Sequence, residues 1–342
     1  MILVTGGTGL LGSHLLMRLT ADGHRVRAIY RTDTGRNAVD KCLRYYHTDP
    51  DPLMERIDWV EGDVLDVLSM ETTLKDVTQV YHCAAEVSFQ PSGQQHMNHV
   101  NVDGTANVVN ACLNADGVRL CHVSSVAAIG RDGTEKLISE QNEWKESRHN
   151  AAYAVSKHRG EMEVRRGMAE GLDAFIVNPS LILGPGSWTR STGVMFSRVW
   201  KGLPFYTRGG NCFVDARCVA DAMVALMESG VRNERFIIGA ENRLFKEIFG
   251  LMAQKMGKRP PRFEASPRMA EMTWRVETIL SRLSGKRPFI TRETAHHAMQ
   301  RNRYDNSKLL KALPGFRYRN LDDSLGLICE KFLEDQLNGG RH

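Results

Sequence analysis

Tyr153-Ala154-Val155-Ser156-Lys157 sets a phenol and an ammonium four residues apart, on one face of a helix. A tyrosine with a pKa near 10 is a poor base at neutral pH, and lowering it by about 3 units takes about 4 kcal/mol. One ammonium about 4 Å away at an effective dielectric near 20 supplies roughly that much. The spacing therefore predicts Tyr153 as a general acid/base and Lys157 as its activator. Upstream, Val123-Ser124-Ser125 closes an apolar run. A hydroxyl there can hold a substrate oxygen while Tyr153 exchanges a proton with it. Ser125 is favoured for that task, with Ser124 as a buried, hydrogen-bonded neighbour. The chemistry implied is proton transfer at a carbon–oxygen centre.

At the other end of the same half of the chain, Thr5-Gly6-Gly7-Thr8-Gly9-Leu10-Leu11-Gly12 follows Ile2-Leu3-Val4 and opens a helical pattern. Gly6, Gly9 and Gly12 permit a tight turn, close approach of a pyrophosphate, and close helix–sheet packing. The pyrophosphate rests on the free amides of the helix start. The second strand, Arg25–Tyr30, ends without the carboxylate that would bond an adenosine ribose. Arg31 follows it and can pair with a 2′-phosphate, which favours NADP over NAD. Arg36 is a second candidate, and a surface arginine beside an NAD site is the alternative. Asp63 is placed either to accept from the adenine amino group or to cap the following helix. Asn178-Pro179 ends a later strand, where a nicotinamide would lie.

These residues sit at the ends of alternating segments. Strands are expected at Met1–Thr5, Arg25–Tyr30, Ile57–Glu61, Gln79–Cys83, Arg119–Ser124 and Ala174–Asn178, with helices such as His14–Ala21 and Gly104–Leu113 between them. The alternation predicts an α/β fold, a doubly wound parallel sheet, with ligands outside the carboxyl ends of its strands. The nucleotide domain is drawn at 1–180, with 213–240 returning to it. Residues 181–212 and 241–342 form a smaller, mostly helical substrate lobe. Within it Met269, Met272, Val276, Ile279, Leu280 and Leu283 recur at helical spacing, as lobe core or as a membrane-facing stripe.

The net charge of +5 is uneven. Lys255–Arg319 holds sixteen Lys/Arg against five Asp/Glu, so the remainder carries an excess of about six negative charges. A basic C-terminal third suits a phosphorylated substrate, peripheral contact with an anionic membrane, or simple solvation. No nucleic-acid reading motif accompanies it. Seven scattered cysteines without a C-x-x-C pair, and a first strand starting at the amino terminus with no room for a signal peptide, predict a reduced cytoplasmic protein. His96 and His99 lack an acidic or thiol partner nearby in the sequence, so no metal is expected.

Taken as an ordered set, the motifs resemble the extended short-chain dehydrogenase/reductase family, part of the NAD-dependent epimerase/dehydratase superfamily. Beside the glycine turn, the resemblance includes His82-Cys83-Ala84-Ala85, Asn101-Val102-Asp103-Gly104-Thr105, Val123-Ser124-Ser125, Tyr153 with Lys157, Asn178-Pro179, Val214-Asp215-Ala216-Arg217 and Tyr304-Asp305-Asn306-Ser307-Lys308. It implies a Rossmann domain binding NADP or NAD through Gly6, Gly9, Leu10, Leu11, Gly12, Arg31, Asp63, Val64, Ala84, Ala85, Tyr153, Lys157 and Pro179. It implies a small-molecule substrate beside Val87, Ser88, Phe89, Asn178 and Arg217, and a homodimer. Arg217 meets a substrate phosphate or serves a structural ion pair. Arg27 and Arg31 in Val-Arg-Ala-Ile-Tyr-Arg look like the dihydroflavonol reductase and 3β-hydroxysteroid dehydrogenase branches, which interconvert ketones and secondary alcohols. Val87 stands where sugar-nucleotide epimerases often carry lysine, which suggests a less polar pocket. Cys218 stands where many members have an aspartate, expected to be a helix cap. Two other readings remain: a nucleotide-sugar epimerase or dehydratase using the same Ser125, Tyr153 and Lys157, and a dinucleotide-sensing protein without catalysis.

Overall fold

The apolar runs fold as strands because their alternate residues fill two separate layers. Val4, Tyr81, Cys121 and Phe175 pack on one face of the central sheet. Leu3, Val80, Leu120 and Ile176 pack on the other. With both faces covered, a parallel sheet buries its whole ladder. The computed structural model describes residues 1–339 other than 89, 131–136, 148–149, 267, 270 and 276–291.

The strands β1 (Ile2–Thr5), β2 (Val26–Tyr30), β3 (Ile57–Glu61), β4 (Gln79–His82), β5 (Arg119–Val123) and β6 (Asp173–Pro179) each lie within a residue of the expected bounds. Three strands outside the central sheet follow, β7 (Leu181–Leu183), β8 (Phe205–Tyr206) and β9 (Gly210–Asp215), before β10 (Arg235–Ile238) rejoins it. The spatial order is β10-β6-β5-β4-β1-β2-β3, and every pairing in it is parallel. The crossovers carry α1 (Leu10–Ala21), α2 (Asp33–Arg44), α3 (Asp51–Met54), α4 (Val67–Thr73), α5 (Gln94–Asn98), α6 (Gly104–Asn114) and α7 (Ala152–Ala169). Strand order reverses between β1 and β4, so a crevice opens there beyond the carboxyl ends of the strands. This is the doubly wound Rossmann architecture.

The lobe is mostly helical, as expected, and it also carries short strands that its sequence pattern does not announce. Glu241–Leu244 forms a strand, β11, antiparallel to β9, and β9 pairs on its other side with β7. Glu-Asn-Arg-Leu shows no alternation, and its extended state comes from pairing with the buried β9. A short strand β12 (Phe263–Glu264) pairs with β8. The lobe core gathers Leu183, Trp188, Phe196, Phe213, Met252 and Phe332. Met269 and Met272, read from the sequence as lobe core or as a membrane-facing stripe, are exposed at 37% and 64%. Val276, Ile279, Leu280 and Leu283 lie outside the described residues. The helix at Ala216–Glu228 is capped by Asp215, whose carboxylate accepts from the Arg217 amide at 2.8 Å. Cys218 sits inside that helix, fully buried, so the cap expected at its position belongs to Asp215 instead. No described helix is long and apolar enough to cross a membrane.

Candidate dinucleotide and proton-transfer site

Gly6 turns the chain out of β1 with φ +67°. A Cβ there would lie 2.4 Å from the Ala84 amide nitrogen, and one at Gly12 would lie 2.2 Å from the Gly6 carbonyl oxygen. The glycines thus let β1, the loop after β4 and α1 meet at backbone distance. Gly9 is the exposed N-cap of α1 and offers no side chain to its amides, so the helix start is left to an external anion. A pyrophosphate fits that cradle. Leu10 borders it, while Leu11 is buried in the core and contributes through packing. The Thr5 hydroxyl accepts from the Ala84 amide at 3.3 Å, which fixes the loop carrying Ala84 and the exposed Ala85 against the turn.

Towards the adenosine end, Arg31 is exposed and lines a cleft of about 620 Å³ with Gly62 and Asp63. Arg36 lies 5.2 Å above the Tyr30 ring and 3.3 Å from Asp33. Arg27 is committed elsewhere, donating to the Thr73 and Lys75 carbonyls at 2.7 and 2.9 Å. The Asp63 carboxylate accepts from the Leu65 amide at 3.0 Å, but the cap of α4 is Asp66. Val64 is buried behind it.

Tyr153 stands in the first turn of α7, half-buried, with its phenol beside the Ser125 side chain. The Ser125 oxygen also accepts from the Ala127 amide at 3.1 Å. One turn on, Lys157 is 3% exposed and its Nζ donates to the Val123 carbonyl at 2.7 Å. The helix reaches this position because Gly160 lets it approach the π-helical turn at His99–Asp103, where a Cβ would lie 2.4 Å from the Asn101 carbonyl oxygen. Asn101, buried in that turn, donates to the Ser156 hydroxyl at 3.0 Å and braces Glu86 through both its amide and its carbonyl.

The electrostatics differ from the expectation in one respect. Burial raises the Tyr153 phenol above its ordinary value, and the Ser125 hydrogen bond pulls only partly against it. Lys157 does not draw the phenol down in this arrangement, because its ammonium is directed at the Val123 carbonyl. Burial lowers Lys157 itself to about 8, against smaller opposing effects from Cys83 and Glu161. Protein groups alone therefore leave Tyr153 a protonated donor at neutral pH, and Lys157 close to its titration point.

Four expected substrate residues lie among the described residues. Asn178 is fully buried, its amide donating to the Ser125 carbonyl and to Glu161 at 3.0 Å each, so it positions Ser125 and faces no open space. Arg217 is paired with Asp215 through its Nε and one Nη and lies 5.1 Å over the Tyr46 ring, as in a structural ion pair. Val87 is 50% exposed and the neighbouring Ser88 is half-buried. Phe89 lies outside the described residues. Pro179 is buried at the end of β6. His99 does have an acidic partner, Asp103 at 2.5 Å, which helical spacing could have revealed. Among the described residues no three metal-ligating side chains converge.

Glu161 was not anticipated, although Tyr-x-x-x-Lys-x-x-x-Glu would have placed it on the same helix face. It is 1% exposed and accepts from Ser124, Asn178, Arg165 and Arg235.

Comparison with known proteins bears on the family and the fold. The model of the NAD dependent epimerase/dehydratase family matches residues 2–239. A Synechocystis sp. protein with a dihydroflavonol 4-reductase name is 29% identical over 322 residues, covering 91% of this chain and 88% of its own. Tetraketide alpha-pyrone reductase 2 of Arabidopsis thaliana is 30% identical over 275 residues, covering 75% of this chain and 83% of its own. The solved structure of gox2253 superposes with a TM-score of 0.78 at 30% identity, over 97% of this chain and 98% of its own.

Proposed function

The chain belongs to the NAD dependent epimerase/dehydratase family and is an NAD(P)-dependent enzyme, and from that premise we propose that it interconverts a ketone and a secondary alcohol. The observation that carries the reading is the Tyr153 phenol, set beside Ser125 at the end of β5 and one helical turn from buried Lys157. Two hydroxyls at one point make a cradle for a single carbonyl oxygen. Gly6, Gly9 and Gly12 would hold the dinucleotide, whose chemistry there would be to supply or accept a hydride. In reduction, Ser125 donates a hydrogen bond to the carbonyl oxygen and Tyr153 delivers the proton that completes the alcohol. Lys157, its ammonium held by the Val123 carbonyl one helical turn from Tyr153, would contact the nicotinamide ribose. Val87, half exposed, stands where sugar-nucleotide epimerases often carry lysine, and an apolar side chain there suits an aryl or alkyl ketone better than a sugar nucleotide. The reductase names of two relatives near 30% identity support the same class.

The test is turnover of the purified chain with reduced nicotinamide and a panel of aryl and cyclic ketones, followed by loss of the cofactor's near-ultraviolet absorbance. Ketone-dependent loss is the expected result. Isomerisation of a nucleotide sugar with no net cofactor consumption would overturn the reading.

Preference for NADP is part of the proposal and rests on Arg31. One charge-assisted hydrogen bond to a 2′-phosphate contributes about 1.5–3 kcal/mol. Arg31→Ala is therefore expected to weaken NADPH binding by roughly 10- to 100-fold, with NADH affinity little changed. Fluorescence titration with both nucleotides measures the difference. Equal loss for the two would give Arg31 no special role at the 2′-phosphate, and no loss for either would leave it a surface arginine.

A further inference from the structure

We propose that Glu161 is a positioning residue, whose buried carboxylate sets the end of β5 and the Lys157 turn of α7 in register and ties both to β10 through Arg235. The inference rests on the reading that Ser125, Tyr153 and Lys157 carry the proton chemistry. Three consecutive residues at the end of β5 are each held from this network. The Val123 carbonyl accepts from Lys157 at 2.7 Å, the Ser124 hydroxyl donates to Glu161 at 3.1 Å, and the Ser125 carbonyl accepts from Asn178 at 3.0 Å. The same Asn178 amide donates to Glu161 at 3.0 Å. Arg165 and Arg235 complete the set at 3.0 and 3.1 Å, so four donors saturate one carboxylate. Arg235 reaches further, donating to the carbonyls of Glu140 and Asn142 ahead of α7.

A charge this deeply buried contributes little net stability, since its desolvation offsets most of the attraction, and apolar groups of the same shape often serve as well. Its placement is what apolar groups could not reproduce. Lys157 faces neutral neighbours on its other sides. His82 on β4 is lowered to about 3 by burial and by Lys157, and His122 on β5 is lowered as well. The Cys83 thiol after β4 is pushed up to about 12. Cys83 and Glu161 both support the ammonium, but only Glu161 is ionised at neutral pH. Burial opposes its charge, and Arg235, Asn178 and Arg165 outweigh that and keep it below the ordinary range. His158 on α7 also faces it and is itself lowered by burial.

The experiment compares wild type with Glu161→Gln in the full chain. Lysine carrying ¹³C at Cε is titrated by NMR without substrate, and the Lys157 resonance is assigned by its loss in Lys157→Arg. In Glu161→Gln the midpoint is expected to fall by about one unit. In turnover, kcat is expected to drop about 10- to 100-fold with KM and nucleotide affinity nearly unchanged, and the alkaline limb should move to lower pH with the lysine. An unmoved midpoint with unchanged kcat would overturn the proposal. Where Glu161→Gln does not fold, Ser124→Ala removes one hydrogen bond and keeps the charge. It should lower kcat several-fold at constant KM, and an unchanged kcat would again count against Glu161. A wild-type chain that consumes no reduced nicotinamide would defeat the proposed function, while the lysine midpoint still decides the role of Glu161.

Discussion

Tyr153→Phe is expected to lower turnover by about 10²- to 10⁴-fold while leaving nucleotide affinity and melting temperature close to wild type. The substitution removes one oxygen and keeps the ring that packs in the first turn of α7. Ser125, which loses its tyrosine partner, still accepts from the Ala127 amide at 3.1 Å, so no buried acceptor is orphaned. The stability change should therefore stay near 1 kcal/mol, the typical net value of one hydrogen bond. Activity should respond to the proton instead. Burial holds the phenol above its ordinary value, so it is protonated through the neutral range and suited to donate during ketone reduction. Lys157, lowered to about 8, sets the other limit. As pH rises through that value the ammonium is lost, and the reduction rate should fall. Below it the rate should be flat until other groups titrate. Steady-state kinetics over this range in wild type and Tyr153→Phe test both points. Full turnover in the phenylalanine variant would remove Tyr153 from the mechanism.

The parts of this site that were legible in the sequence are those whose requirements are local. Gly6, Gly9 and Gly12 must recur at fixed spacing because one turn and one helix start impose them, and Tyr153 and Lys157 share a face because a helix repeats every 3.6 residues. The strands of the central sheet were legible because both their faces are buried, which demands unbroken apolar runs. What escaped is set by pairing across long separations. Glu161 acquires its meaning from Arg235, 74 residues away, and from Asn178 on a neighbouring strand. Asn178 itself reads as a polar residue at a strand end, equally fit to face a ligand or a carbonyl, and only the position of Ser125 decides. Arg217 was open between a phosphate and an ion pair until Asp215, two residues before it, was seen to turn its carboxylate back on the guanidinium. The strand at Glu241–Leu244 carries no pattern of its own and is extended because β9 lies beside it. The rise of the Tyr153 phenol was missed because the spacing of Lys157 says nothing about where its ammonium points.

Gly6→Ala should remove both nucleotide binding and a large part of the stability, and Gly9→Ala should separate the two. At Gly6 two costs combine. The backbone is left-handed, φ +67°, which a side chain resists by roughly 1–2 kcal/mol. The new methyl would also lie 2.4 Å from the Ala84 nitrogen and 2.6 Å from its Cα, both backbone atoms. That backbone cannot yield freely, since the Cys83 amide is bonded to the Thr5 carbonyl at 3.0 Å and the Ala84 amide to the Thr5 hydroxyl at 3.3 Å. Relief requires parting β1 from the loop after β4, so a loss of about 3 kcal/mol or more is expected. At Gly9 the nearest atom to an added methyl is the Gly6 carbonyl oxygen at 3.3 Å, and the residue is exposed. Its fold should survive with a change within about 1 kcal/mol. The methyl would nevertheless stand at the start of α1, where the pyrophosphate must approach bare amides, and nucleotide affinity should fall by an order of magnitude or more. Thermal melting and NADPH titration on the two variants read the two effects independently. A Gly6→Ala chain that melts and binds like wild type would contradict the packing described for the turn, and a Gly9→Ala chain with undiminished affinity would move the pyrophosphate away from this helix.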